Sequence, residues 1–138
     1  MKTIYNDIIP FKGYKAITIW PWLFVRNGCA FKDVDENHEK IHGEQQVEML
    51  LVGIALTVVL WLIGCGWWSL LALPLFFWWY FIEWLVRIPL CGFETHKAYK
   101  NISFEQEAYF FQGDMSYLQR RSRFLWLRYV FSNKYSSK

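Results

Sequence analysis

The stretch from Met49 to Ile82, MLLVGIALTVVLWLIGCGWWSLLALPLFFWWYFI, runs for 34 residues without an Asp, Glu, Lys, Arg or His. A helix needs about 20 apolar residues to cross the hydrocarbon core of a bilayer, so the run is close to two such lengths. Gly64-Cys65-Gly66 interrupts it near the middle and Pro74 interrupts it again. The pattern predicts two apolar helices, at about 47–63 and 67–88, folded back as a hairpin. Each is short, so a hairpin that dips into the bilayer without crossing it competes with full crossing. A buried core hairpin of a soluble domain would pass the same pattern, but little of the chain remains to cover so much aromatic surface.

Working outward, the flanks carry all the charge. Of the 15 Lys and Arg, six precede the apolar run and nine follow it, and the Gly64–Ser69 connection carries none. The positive-inside rule then puts both flanks, and so both termini, in the cytoplasm, with the Trp67-Trp68 turn facing outward. A hairpin requires its ends to share a side, so the two arguments agree. A net charge of +3 is not basic enough to suggest a nucleic-acid binder; the expected partner is the lipid bilayer. At 138 residues, 54% hydrophobic and 21% aromatic, the chain is expected to be one membrane-associated domain spanning 1–138 rather than a disordered segment or a multidomain enzyme. Cys29, Cys65 and Cys91 are odd in number, far apart and in no CxxC pair, which supports neither a disulfide framework nor a thiolate metal site. Met1 to Lys15 has no continuous apolar core and is broken by Pro10, unlike a cleaved signal peptide.

On the N-terminal side, Ala16–Trp20 and Trp22–Arg26 are β-prone, and Asn27-Gly28 is a strong hairpin turn signal leading into Cys29-Ala30-Phe31. These residues predict a small, irregular β-hairpin, with Pro21 interrupting a strand or marking an edge. Asp33 with Glu36 three residues on reads as a capping box. The helix that starts there meets no stop signal before Gly64 and is expected to continue into the first apolar segment. Beyond the second segment, Arg87, Pro89 and Gly92 mark an exit. Ser103 with Gln106 reads as another capping box, opening a helix over about 104–112. The tail from Tyr117 interleaves Arg120, Arg121, Arg123 and Arg128 with Phe124–Leu127 and Tyr129, which predicts a basic, aromatic C-terminal helix at the headgroups or a basic end packed on the domain. The expected fold is mainly α, with a minor β part.

His38-Glu39-Lys40-Ile41-His42 is an HExxH sequence, and it uses two of the three histidines. On a helix, residues i and i+4 share a face, so both imidazoles can reach one metal ion while Glu39 stands beside them to take a proton from water. Zinc is the natural ion for such nitrogen donors, and catalytic zinc keeps one position open. The third ligand is less determined. Glu105 or Glu107, near the start of the 104–112 helix, is the better candidate; His96, in an expected loop, is weaker. For either glutamate alone, a surface carboxylate stabilised by the helix dipole is the stronger reading. Asn37, Gln45 and Gln46 could hold the free imidazole nitrogens, although each reads more readily as ordinary helix surface. Glu83 and Arg87 stand at i, i+4 spacing and read as an ion pair tying down the end of the second apolar segment. Asn101-Ile102-Ser103 matches a glycosylation sequon but reads as a helix cap.

An HExxH helix followed, on a later helix, by Glu105-Gln106-Glu107-Ala108 resembles the gluzincin class of zinc metallopeptidases. The apolar hairpin between the two motifs resembles the membrane-embedded CaaX-prenyl-protease type and the minimal minigluzincins. The resemblance covers the two motifs, the hairpin and a strand before the first helix. In that group the zinc glutamate lies in a Glu-x-x-Ala-Asp pattern, so it implies Glu105 as third ligand, with Tyr109 standing where the Asp would be. It further implies peptide hydrolysis by a zinc-activated water with Glu39 as general base and proton donor, a Tyr, His or Arg at the oxyanion (His96, Tyr99 or Tyr109 here), and a membrane protein or peptide as substrate. By the same analogy an extended peptide would pair with an edge strand, for which the 16–31 hairpin is the candidate. His42 lies seven residues before Met49, so the metal would sit about 10 Å from the apolar boundary. A chain this short leaves little protein for a cleft, and a partner or homo-oligomer is one way to complete it. The alternative from another class is a non-catalytic membrane adaptor or toxin-like factor in which a metal only staples two helices together.

Overall fold

A computed structural model describes residues 1–11 and 13–132. The fold is mainly helical with one small sheet, as expected. Helix α1, Asp33–Leu62, runs unbroken from the HExxH segment through the first apolar segment, about 45 Å in all. Its first half is buried on one face by the rest of the protein. Its second half exposes Leu51, Ile54, Val58, Val59 and Leu62, and the helix is long and apolar enough to span a membrane. The cap differs from expectation. Lys32 is the capping position and Asp35, not Glu36, accepts its N–H at 2.9 Å, while Glu36 pairs with Lys40 along the helix.

The second apolar segment is not one helix. A 3₁₀ stretch, Gly66–Ala72, runs back along α1; the chain breaks at Leu73-Pro74, and α2, Leu75–Leu90, leaves it bent by 64°. Proline has no N–H and its ring crowds the preceding turn, so Pro74 sits at the break as the first capping residue of α2. The 3₁₀ stretch packs closely on α1. A Cβ on Gly53 would lie 2.5 Å from the Ala72 carbonyl oxygen, and Thr57 Oγ1 donates to the Ser69 carbonyl at 3.2 Å.

The sheet has three strands, β1 (Lys2–Asn6), β2 (Ala16–Ile19) and β3 (Trp22–Arg26), in the order β1-β3-β2. The hairpin joins β2 to β3 through Trp20-Pro21, not through Asn27-Gly28. β1 pairs in parallel with the other edge of β3, so the Asn27-Gly28 turn, with Gly28 at φ +71°, carries the chain out of the sheet towards α1, and Cys29–Phe31 form no strand. Leu23 and Val25 are buried. Gln46 of α1 clamps β2, accepting from Trp20 N and donating to the Thr18 carbonyl, both at 2.8 Å.

After α2 come α3 (Thr95–Lys100), α4 (Ser103–Phe111), a single turn α5 (Tyr117–Arg120) and a 3₁₀ turn at Leu125–Tyr129. His96 is therefore on a short helix rather than in a loop. Ser103 and Gln106 form no capping box. Ser103 gives its N–H and hydroxyl to Glu83 at 2.9 and 2.6 Å, and Gln106 donates to the Asn101 carbonyl. Asn101, Ile102 and Ser103 are fully buried, which leaves no room for a glycan. Glu83 and Arg87 do pair, at 2.6 Å, and Arg87 also donates to the carbonyls of Tyr129, Val130 and Ser132. The expected C-terminal helix is two separate turns. Trp126 enters the core with Met49, Phe76, Ile102 and Phe104, and the Arg121 side chain is buried between Glu48 and Glu107. Through Trp126 and Arg121 this basic, aromatic segment packs on the domain.

Candidate metal centre

The i, i+4 spacing on α1 brings the two imidazoles together, with His38 Nε2 and His42 Nε2 at 3.1 Å. α4 crosses this face and delivers Glu105, whose carboxylate oxygens lie 3.2 Å from His42 Nε2 and 3.4 Å from His38 Nε2. All three side chains are buried, and their donor atoms lie within 4.8 Å of one another, a group that could hold a metal ion.

Three observations test that fit. Gln45 Nε2 already donates to the Phe104 carbonyl and to Glu107, so its oxygen is the end that meets His42 Nδ1 at 2.8 Å, and that nitrogen carries the ring proton. His38 Nδ1 likewise faces Gln112 Oε1 at 3.1 Å. With both Nδ1 atoms so occupied, the two Nε2 atoms face each other and a carboxylate, an arrangement relieved by a metal ion or, in its place, by a proton on one imidazole. Second, Glu105 Oε2 is buried without a hydrogen-bond donor. Third, a tetrahedral ion with bonds of about 2.0–2.1 Å holds its ligand atoms about 3.3–3.4 Å apart, close to the 3.1 Å between the two Nε2 atoms, and each imidazole has one oxygen of the Glu105 carboxylate at 3.2 or 3.4 Å. The same charges act on protons. Burial opposes charging His42, but the Glu105 carboxylate outweighs it and raises the imidazole pKa to about 9. Burial alone would raise Glu105, yet the two imidazoles hold it well below the usual carboxylate range.

Glu39 does not join the three. It lines the adjoining cavity, and Thr18 Oγ1 donates to its Oε2 at 2.8 Å, which ties the carboxylate to β2. Glu107 points away from the imidazoles. Its oxygens accept from Tyr117 at 2.7 Å, Arg121 at 2.6 Å and Gln45 at 3.1 Å, so it supports the centre from behind and is not part of the converging group. His96 and Tyr99 line the cavity with stacked rings 6.2 Å apart. Burial, then the Glu105 charge, pushes the Tyr99 hydroxyl well above the usual phenol range. Tyr109 packs edge-on against His38 at 4.7 Å.

Asn37, Gln45 and Gln46 are buried, not helix surface. Asn37 donates to the carbonyls of Phe111, Gln112 and Asp114 at the end of α4, fixing that helix against the HExxH segment. Three site residues escaped the sequence reading, one of them Thr18, which holds the Glu39 carboxylate. Gln112 stands seven residues after Glu105, close to two helical turns and so on the same side of α4. Tyr80 donates to Glu105 Oε1 at 2.8 Å; a hydroxyl among Phe and Trp needs a partner when buried, and that need was the available signal.

The cavity beside the centre encloses about 570 Å³, so a cleft exists within the single chain. Comparison with protein-family models, curated proteins and solved structures finds no match to this chain.

Proposed function

We propose that the protein is a membrane-bound zinc peptidase of gluzincin type, with His38, His42 and Glu105 as ligands. The reading is carried by one observation, the meeting of two Nε2 lone pairs and a carboxylate within 3.4 Å beside a cavity that Glu39 lines. Two imidazoles and one carboxylate are a donor set suited to zinc that leaves a fourth position open. Bound zinc supplies a Lewis acid that polarises a carbonyl and acidifies water.

The chain's own residues do the rest. Glu39, oriented by Thr18, accepts a proton from the attacking water at its carboxylate and returns it to the leaving amine. Gln45 and Gln112 keep both Nδ1 atoms protonated and both Nε2 atoms available. The Tyr99 hydroxyl, on the cavity wall, is the donor we assign to the developing oxyanion. On β2, pairing with β3 directs the Ala16 and Thr18 backbone groups to the open edge of the sheet. Gln46 takes the Thr18 carbonyl; the Ala16 N–H and C=O face the cavity side, where an extended peptide could add. Both charged flanks, and the site with them, are assigned to the cytoplasmic side by the distribution of Lys and Arg.

A structural metal in a non-catalytic adaptor is favoured by one feature, that the ligands bridge α1 and α4. Glu39→Gln separates the readings. Purified wild-type protein should carry one zinc that a His38→Ala, His42→Ala variant lacks. Glu39→Gln should keep zinc and fold but lose hydrolysis of a membrane-anchored peptide. Equal metal in wild type and double variant would remove the basis of the proposal, and unchanged hydrolysis in Glu39→Gln would overturn the mechanism.

A further inference from the structure

The cavity is unequal in its lining. Glu39, His42, Glu105, Thr18 and Gln46 supply its polar groups, and one wall is formed by Phe76, Phe77, Tyr80, Phe81 and Trp84 of α2, which reaches the centre where Tyr80 donates to Glu105. These five stand at i, i+1, i+4, i+5 and i+8, a single face of the helix. Its other faces are apolar too, with Trp78, Ile82, Leu85 and Val86 all well exposed, so α2 is a wall whose back is suited to lipid. Phe77 and Phe81 line the cavity while 45% and 51% exposed, which places them at its mouth, on the apolar side of the molecule. Opposite them stand Tyr14 and Phe11, both exposed. Among the described lining residues there is no Lys or Arg, and the only carboxylates are Glu39 and Glu105. Away from the metal centre, the aromatic wall offers no Lys or Arg to pair with an acidic side chain or a lipid phosphate.

Resting on the peptidase reading, we infer that the aromatic wall of this cavity receives a bulky apolar side chain from an internal segment of a membrane-inserted peptide, which enters from the lipid side past Phe77, Phe81 and Tyr14. The backbone of that segment lies along Ala16 on β2, and the residue so held is within a few positions of the peptide's own apolar boundary, because one wall of the cavity is itself a lipid-facing helix. A volume of about 570 Å³ is in the range of pockets that enclose whole small ligands, enough for a large side chain with its adjoining backbone.

The test uses zinc-loaded Glu39→Gln protein in nanodiscs, which binds without cleaving. The probes are peptides with a Leu-rich spanning helix, a spacer of two or twenty residues, and then a segment whose central residue is Phe, Leu, Gly or Asp. Burial of a large side chain predicts that the two-residue-spacer Phe peptide binds about tenfold or more tighter than its Gly counterpart, with Asp weakest, and tighter than the twenty-residue-spacer Phe peptide. Phe77→Ala with Phe81→Ala, both at half-exposed positions, should erase the preference for Phe over Gly. Ala16→Pro, at the first residue of an edge strand where proline is tolerated, should weaken all peptides alike. Equal affinity for Phe and Gly, a preference that survives the double substitution, or tighter binding with the long spacer would each overturn the inference. Unselective hydrolysis by the wild type would end this inference and spare the peptidase reading; selective binding with no hydrolysis would do the reverse.

Discussion

Gln45→Leu isolates the support of the metal centre from the ligands themselves. Gln45 is fully buried and makes three polar contacts, to His42 Nδ1 at 2.8 Å and to the Phe104 carbonyl and Glu107 at 3.1 Å each. Leucine fills similar space but can make none of them. The His42 ring proton loses its acceptor, so the imidazole is free to turn or change tautomer, and loss of such an outer partner lowers metal affinity about 10–100-fold, or about 1.4–2.7 kcal/mol. Leaving buried groups unsatisfied costs about 1–3 kcal/mol each, and with some relaxation a total loss of about 2–4 kcal/mol is expected for the metal-free fold. Gln46→Leu is the control. It removes two equally short hydrogen bonds, to Thr18 and Trp20, but neither reaches a ligand. Zinc affinity by chelator competition and unfolding in EDTA should therefore separate the two: both variants lose stability, and only Gln45→Leu loses affinity. Equal affinity losses, or none in Gln45→Leu, would refute the orientation argument.

Other consequences are open to equally direct measurement. Because the His42 pKa is raised from 6.5 to about 9 in the fold, its contribution to metal-free stability is fully present below pH 6.5 and fades towards pH 9. That of Glu105, held low, is present above about pH 4.5 and is lost as the pH falls. Unfolding midpoints in EDTA should thus decline between about pH 6.5 and 9, while zinc affinity rises over the same window as His42 gives up its proton; a flat midpoint would contradict the assigned coupling. Arg121→Met leaves Glu48 and Glu107 buried without their cation and should destabilise the protein by about 3–5 kcal/mol, whereas the same change at exposed Arg123 should be near neutral in a denaturation series. Cys65 is exposed at the Gly64–Gly66 turn while Cys91 is buried, so in oriented vesicles an impermeant thiol reagent on the side away from the termini should label Cys65; protection from both sides would favour a hairpin that enters the bilayer without crossing.

Much of this was legible in the sequence where the signal is local. A charge-free run of 34 residues, helical phase at His38 and His42, and a chain from Asp33 without a breaker are properties of neighbours, and α1 formed as those neighbours require. Glu105 could be nominated only alongside Glu107, because helical phase alone does not say which side of α4 faces α1. Packing chose, turning Glu105 to the imidazoles and Glu107 to Arg121. The Asn27-Gly28 turn was real, but its use depended on β1 occupying the far edge of β3. Pro74 was visible as an interruption, yet the 64° bend depends on how the 3₁₀ stretch seats against Gly53.

The residues that surround the centre show the same division. The primary structure by itself determined the apolar segment, the continuous first helix and the pair of imidazoles, because hydrophobicity and the 3.6-residue period act between residues close in the chain. Only the tertiary structure decided the third donor, the Gln45 and Gln112 partners, the burial of Arg121 and the aromatic wall of the cavity. Each of those joins side chains from separate elements, and the cost of leaving a buried charge or polar group unpaired is settled only when those elements meet.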